Sequence, residues 1–263
     1  MMYEIQTYLG ADGLMHCTVC KEPVEAFYPK GSLLEMRKHH RQCACERKAY
    51  AEEAQYYKEK EHRELIARNK KICFEEKEME GFTFQNVERD SGVIRIAEEY
   101  VTNWQKMKQN HMGYLFWGPV GTGKSYLAAC IANALLEKEV TVKMTNFNTI
   151  LNDLFAAEDK TEYIRLLNGY ELLIIDDLGV ERSSEYALEN IFSVIDWRYR
   201  SGKPLIITTN LPLAQLKQET KIEKKRIYDR ILERCIPVKI DGASRREAMA
   251  NDNMQTMKNI LKI

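Results

Sequence analysis

Gly113-Tyr-Leu-Phe-Trp-Gly-Pro-Val-Gly-Thr-Gly-Lys-Ser125 decides the fold, because an apolar run breaks there into a glycine loop that closes on Lys-Ser. Tyr114 to Trp117 suits a short buried strand, and Gly118, Gly121 and Gly123 let the backbone turn tightly with its N–H groups aimed at an anion. Lys124 then reaches the β- and γ-phosphates of a nucleoside triphosphate. Ser125 opens a helix, Tyr126 to Lys138, so its hydroxyl is placed to hold Mg²⁺ while the helix N-terminus adds partial positive charge. The pattern Gly118-x-x-x-x-Gly123-Lys124-Ser125 is complete and lies between a strand and a helix, the context this chemistry requires. Pro119, Val120 and Thr122 within the loop, and Tyr126 just after it, complete the nucleotide-contacting set.

Downstream, Val140 to Met144 reads as a strand, followed by helical sequence over Asn146 to Ala156 and Thr161 to Leu167. Glu171-Leu-Leu-Ile-Ile-Asp176-Asp177 supplies four consecutive apolar residues and then two carboxylates. That is the pattern of a strand buried on both faces with acids at its carboxyl edge, where ligands of open parallel sheets sit. Asp176 is placed to hold Mg²⁺ and Asp177 to orient an attacking water. After an amphipathic helix, Ser183 to Arg200, the strand Gly202-Lys-Pro-Leu-Ile-Ile-Thr-Thr-Asn210 ends on Asn210, which either touches the γ-phosphate or caps a turn. Lys221 to Arg234 is a basic helix. Its Arg230 serves a solvated face or a neighbouring subunit's nucleotide site. A last helix begins near Arg245 and Arg246.

The 263 residues carry 39 basic and 39 acidic side chains, a formal charge of zero, which gives no support to indiscriminate nucleic-acid binding. An apolar fraction of 44% suffices for a real core and argues against disorder on the scale of a domain. No run approaches the ~20 apolar residues of a spanning helix, and the N-terminus lacks a signal-peptide pattern, so a cytoplasmic protein without membrane contact is expected.

Seven cysteines in a reducing compartment call for an explanation other than disulfides. Cys17-Thr-Val-Cys20 and Cys43-Ala-Cys45 form two close pairs separated by twenty-two residues, which a turn at Tyr28 to Gly31 brings together around Zn²⁺. His39 or His40 is a substitute ligand, and reduced core cysteines or a redox pair are the alternatives. Cys73, Cys130 and Cys235 read as packing residues. Three segments follow: a zinc module over residues 1–45, a solvated linker helix over 46–80 that Gly81 ends, and an α/β nucleotide-binding domain over 81–263. Gly92 to Lys108 supplies a further helix ahead of the glycine-loop strand.

Strand, glycine loop, helix, Leu-Leu-Ile-Ile-Asp-Asp-Leu-Gly, Ile-Ile-Thr-Thr-Asn and a late Asp-Arg, in that order, resemble an AAA+ ATPase. The chain is more narrowly similar to the DnaC/DnaI helicase loaders and their relatives, the IstB transposition ATPases, from Phe82 to Ala250. The resemblance implies a P-loop parallel sheet flanked by helices, with Walker A at Gly118 to Ser125, Walker B at Asp176 and Asp177, and sensor 1 at Asn210. It implies an arginine finger at Arg230, with Arg226 one turn before it, and a sensor 2 arginine at Arg245, with Arg246 beside it. Helices over Thr145 to Asn168, with Asn146, Phe147, Lys160 and Arg165, correspond to the family's single-stranded DNA surface or are ordinary surface helices. Loaders of the DnaI kind place a cysteine-rich module before the ATPase to hold the helicase. The expectation is therefore an ATP-dependent homo-oligomer that uses ATP, Mg²⁺ and Zn²⁺ and helps deposit a hexameric replicative helicase on single-stranded DNA. The rivals are an IstB-like ATPase that directs a transposase to target DNA and an adaptor in which ATP is structural only.

Overall fold

The computed structural model describes residues 6–34, 37–86, 92–179 and 184–261, which fall into two compact units, Met1–Leu65 and Ile66–Ile263. In the first unit β1 (Thr7–Leu9) pairs antiparallel with β2 (Met15–Cys17), and β3 (Glu25–Phe27) with β4 (Lys38–His40). Its buried apolar core among the described residues is Cys17, Val24 and Cys43, little for a unit of this size. α1 (Ala44–Cys73) then starts with two acids on its free N–H groups. Glu46 accepts from the Cys43 N–H at 3.0 Å and Glu22 from the Ala44 N–H at 2.7 Å, which offsets the orphan donors of a helix start. α1 is solvated up to Leu65; within the second unit its Ile66 is buried and its Cys73 joins the core. It ends there, short of the expected Glu80, and Lys77–Gly81 and Phe84–Asn86 are 3₁₀ turns.

The second unit continues through α2 (Gly92–Thr102), α3 (Trp104–Gln109), β5 (Gly113–Trp117), α4 (Lys124–Leu136), β6 (Val142–Asn146), α5 (Phe147–Ala156), α6 (Lys160–Leu167), β7 (Leu172–Leu178), α7 (Glu185–Ser201), β8 (Leu205–Thr209), α8 (Leu213–Lys217), α9 (Ile222–Arg234), β9 (Cys235–Lys239) and α10 (Arg245–Leu261). The expected single helix over Gly92 to Lys108 is thus two, parted at Asn103.

β5 to β9 form one parallel sheet in the order β6-β7-β8-β5-β9. Alternation along each strand sends side chains to two separate cores. Tyr114, Phe116, Leu172, Ile174 and Ile206 pack with α2 and α4, whereas Leu115, Leu173, Ile175 and Ile207 pack with α5, α7 and α9. Helices covering both faces explain why the central strands read as unbroken apolar runs. β9 lay outside the sequence expectations. Cys-Ile-Pro-Val-Lys contains a proline, which is tolerated because β9 is the edge strand and the missing N–H breaks no ladder. This topology gathers the carboxyl ends of β5, β7 and β8 at one rim.

Candidate nucleotide site

At the rim, β5 runs into a loop whose Gly118, Gly121 and Gly123 all have positive φ, 147°, 81° and 93°. The neighbours also exclude side chains. A Cβ on Gly118 would lie 2.2 Å from the Ile240 carbonyl oxygen, and one on Gly121 would lie 2.3 Å from the Ser244 hydroxyl. Gly123 is the N-cap of α4, so the free N–H groups of the first turn face into the loop. Lys124 folds back over it and donates to the Gly118 and Pro119 carbonyls at 3.0 and 2.7 Å, with only 5% of the residue exposed. Burial pushes its pKa down, while Asp177 and then Asp176 pull it back up. Thr122 donates to the Pro119 carbonyl at 3.0 Å, and Val120 is exposed. Tyr126 follows Ser125 directly; its hydroxyl donates to the Thr83 carbonyl at 3.1 Å and its ring stacks on Phe82.

Opposite, β7 and β8 lose register between Ile175 and Leu178. Asp176 and Asp177 stand where β8 has Thr208 alone, and Asp177 takes a left-handed φ of 56°. This β-bulge turns two successive acids toward one site, which a regular strand cannot do. Asp176 is held by the Thr208 hydroxyl at 2.5 Å and by the Ser125 hydroxyl. Burial raises its pKa, and those two donors work against the rise. Ser125 and Asp176 thus bring two side-chain oxygens together near Lys124, a donor set that could hold Mg²⁺ at a triphosphate. Asn210, half-buried, follows β8 directly. Thr209 fixes the turn it lies in, donating to the Leu178 carbonyl at 2.7 Å and accepting from the Leu211 N–H at 3.0 Å.

Residues 49–252 match the family described as IstB-like ATP binding protein. The chain belongs to that family. Replicative helicase loader DnaC of Escherichia coli strain K12 is 29% identical over 149 residues, 55% of this IstB-like chain and 58% of DnaC. Replicative helicase loader DnaI of Bacillus subtilis strain 168 is 24% identical over 192 residues, 67% of this chain and 62% of DnaI. The chain therefore spans less than two thirds of the length of either relative. Among solved structures, a crystal structure of DnaI covers 68% of the chain and 99% of its own length, with a TM-score of 0.58 and 25% identity. One of the DnaC helicase loader covers 63% and 100%, with a TM-score of 0.53 and 22% identity, and shows the fold alone.

The four cysteines of this IstB-like chain converge. The sulfurs of Cys17, Cys20, Cys43 and Cys45 lie within 4.8 Å of one another, as an S₄ tetrahedron with Zn–S bonds of about 2.3 Å requires. Backbone N–H groups of Glu22 and Cys45 point at Cys20 and bring its pKa down to about 6. Burial, with Cys20 and Cys17 close by, pushes Cys45 up to about 12. Four sulfurs gathered this closely could hold a divalent cation as thiolates. The histidines are engaged elsewhere: His39 packs on Tyr28, His40 meets Glu46 at 3.3 Å and His16 meets Asp12 at 3.0 Å. Cys73, Cys130 and Cys235 are buried.

Arg230 is engaged within its own chain. Its guanidinium pairs with Asp196 at 2.7 Å, donates to the Arg226 carbonyl at 3.3 Å and lies over the Phe192 ring at 4.5 Å. Arg226, exposed, lies over the same ring at 4.3 Å. The side chain of Arg245 is outside the described residues. Its neighbour Arg246 is close enough to Lys124 to depress that lysine's pKa.

Of the residues assigned to a DNA surface, Phe147 is misplaced. It is 2% exposed, a core residue under α5, and cannot stack on a base; Phe155 on the same helix is 82% exposed. Asn146 caps α5 by accepting from the Thr149 N–H at 2.9 Å, Lys160 lies over Tyr186 at 4.6 Å, and Arg165 pairs with Glu162 at 2.7 Å. Sequence reasoning also missed Thr208 and Asp196. For Thr208, two polar residues closing an apolar strand were the available signal; for Asp196 there was none.

Proposed function

We propose that the chain is an ATP-dependent loader that helps place a hexameric replicative helicase on single-stranded DNA. The four-cysteine cluster ahead of a P-loop domain supports this above all, since the sequence match to DnaI and a module of that composition point the same way. Loop N–H groups cradle the phosphates, and Lys124 exchanges its two loop carbonyls for phosphate oxygens. Ser125 and Asp176 would hold Mg²⁺, which offsets charge on the phosphates when bound. Asp177 orients the attacking water and Asn210 lies at the same rim. Arg230 of a neighbouring subunit neutralises charge that develops on transfer. Such an arrangement works by positioning and charge, and joins ATP occupancy to assembly. Zn²⁺ on Cys17, Cys20, Cys43 and Cys45 would fold the partner-holding unit. No helix among the described residues is long and apolar enough to cross a membrane, in keeping with cytoplasmic work on DNA.

Loading is tested with the full chain, purified replicative helicase and circular single-stranded DNA. ATP should raise the DNA-bound helicase, and Lys124→Ala should abolish that rise. Intact loading by Lys124→Ala would refute the switch, and capture of purified transposase in place of helicase would select the IstB-like alternative.

A further inference from the structure

Asp177 N–H donates to the Thr208 hydroxyl oxygen at 3.0 Å, and the same hydroxyl donates to Asp176 Oδ1 at 2.5 Å. Thr208 is fully buried and sits opposite the two-for-one bulge of β7. A hydroxyl has one proton. Because its oxygen already accepts from the Asp177 backbone, that proton can go only outward, to the Asp176 carboxylate. The polarity of the chain, amide to hydroxyl to carboxylate, is thereby fixed, and each bond polarises the next. One side chain thus acts on both acids. It captures the N–H that the bulge would otherwise leave unpaired, which holds Asp177 in its left-handed conformation, and it sets the rotation of the Asp176 carboxylate toward Ser125.

We propose that Thr208 is a positioning residue of the nucleotide site, which locks the bulge so that Asp176 presents its carboxylate to a divalent cation and Asp177 faces the phosphates. The inference rests on the assignment of Ser125 and Asp176 as Mg²⁺ ligands. Thr209 provides an internal comparison. It is as fully buried as Thr208, and its hydroxyl also accepts one N–H and donates once, but to the Leu178 carbonyl and from Leu211 N–H. It touches neither acid. A merely structural hydroxyl bridge is therefore common to both threonines, and contact with the carboxylate belongs to Thr208.

The test measures affinity of the full chain for a fluorescent ATP analogue with Mg²⁺ and with EDTA, alongside thermal unfolding. Wild type should bind more tightly with Mg²⁺. Thr208→Val, which keeps shape and removes the donor, should lose about tenfold of that Mg²⁺-dependent gain, as a hydrogen bond to a charged group implies, while its affinity in EDTA is retained. Thr208→Ser should restore the gain. Thr209→Val should lower the unfolding temperature as Thr208→Val does and keep the Mg²⁺ gain. If Thr208→Val does not fold, Thr208→Cys, similar in volume and a weak donor, should show a partial loss. A full Mg²⁺ gain in the folded Thr208 variant overturns the inference alone, as does an equal loss in Thr209→Val. A wild-type chain whose affinity ignores Mg²⁺ overturns the ligand assignment and the inference together.

Discussion

Replacing Arg198 with methionine should destabilise the second unit by about 3 kcal/mol. Arg198 is 1% exposed, and burial pushes its pKa down to about 9, so it stays charged at neutral pH. Its donors all go to backbone carbonyls: Nη1 to Tyr170 at 2.9 Å, Nη2 to Glu171 at 2.9 Å and to Pro204 at 2.6 Å, and Nε to Pro204 at 3.1 Å. Two effects compete in Arg198→Met. Removal of a desolvated charge favours the variant, but the carbonyls lose their donors. Pro204 keeps the Leu173 N–H at 3.4 Å, so two acceptors, Tyr170 and Glu171, are left, each costing about 1–3 kcal/mol. The guanidinium already has four hydrogen bonds, so the relief on its removal is small and the orphaned carbonyls decide the sign. For a unit of this size the shift in unfolding temperature is roughly 6–12 °C. Trp104, Trp117 and Trp197, the chain's three tryptophans, all lie in the second unit, so urea unfolding followed by tryptophan fluorescence reports that unit alone. Arg198→Lys, a point charge without the planar fork, should recover only part of the loss. An unchanged or raised midpoint in Arg198→Met would show that the buried charge, and not the carbonyls, dominates. The same residue ties the amino ends of β7 and β8 together.

Other outcomes are separately checkable. Metal analysis should find one zinc per chain, lost in Cys17→Ser with Cys20→Ser; that variant should lose the fold of the first unit and leave the tryptophan transition in place, and a folded, zinc-free wild type would remove the metal assignment. Gly121→Ala should weaken nucleotide binding at least tenfold, because its methyl meets the Ser244 hydroxyl at 2.3 Å and its φ of 81° is strained for alanine; calorimetric titration with ATP measures this, and unchanged affinity contradicts the close approach. Arg230→Ala should bind ATP normally and lose stimulated hydrolysis, with some activity regained on mixing with Lys124→Ala. Absence of recovery on mixing points to a role within one subunit.

The glycine loop and the acids were legible because their chemistry depends on neighbours in sequence: spacing alone places Lys124 and Ser125 at the start of a helix and Asp176 at the end of a strand. Longer-range effects hid the rest. Glutamate and lysine continue past Cys73, so composition could not show that α1 stops where its residues turn into a core. Phe147 looked available for stacking because a helix's buried face is chosen by what it packs on. β9 was masked by its proline, harmless only at a sheet edge. The bulge at Asp176 and Asp177 leaves almost no trace in sequence, and Thr208 takes its importance from that bulge.

The engagement of Arg230 has a kinetic consequence. Asp196 also holds Arg200, at 2.8 Å, so if Arg230 serves a neighbouring subunit as proposed, the acid would keep a cation and no bare carboxylate would be stranded. Departure would forfeit the ion pair, the hydrogen bond to the Arg226 carbonyl and the faces of Phe192 and Tyr199, a cost that a docked neighbour would have to offset. ATP turnover per chain should accordingly depend on protein concentration, low in dilute solution and rising steeply as subunits begin to meet.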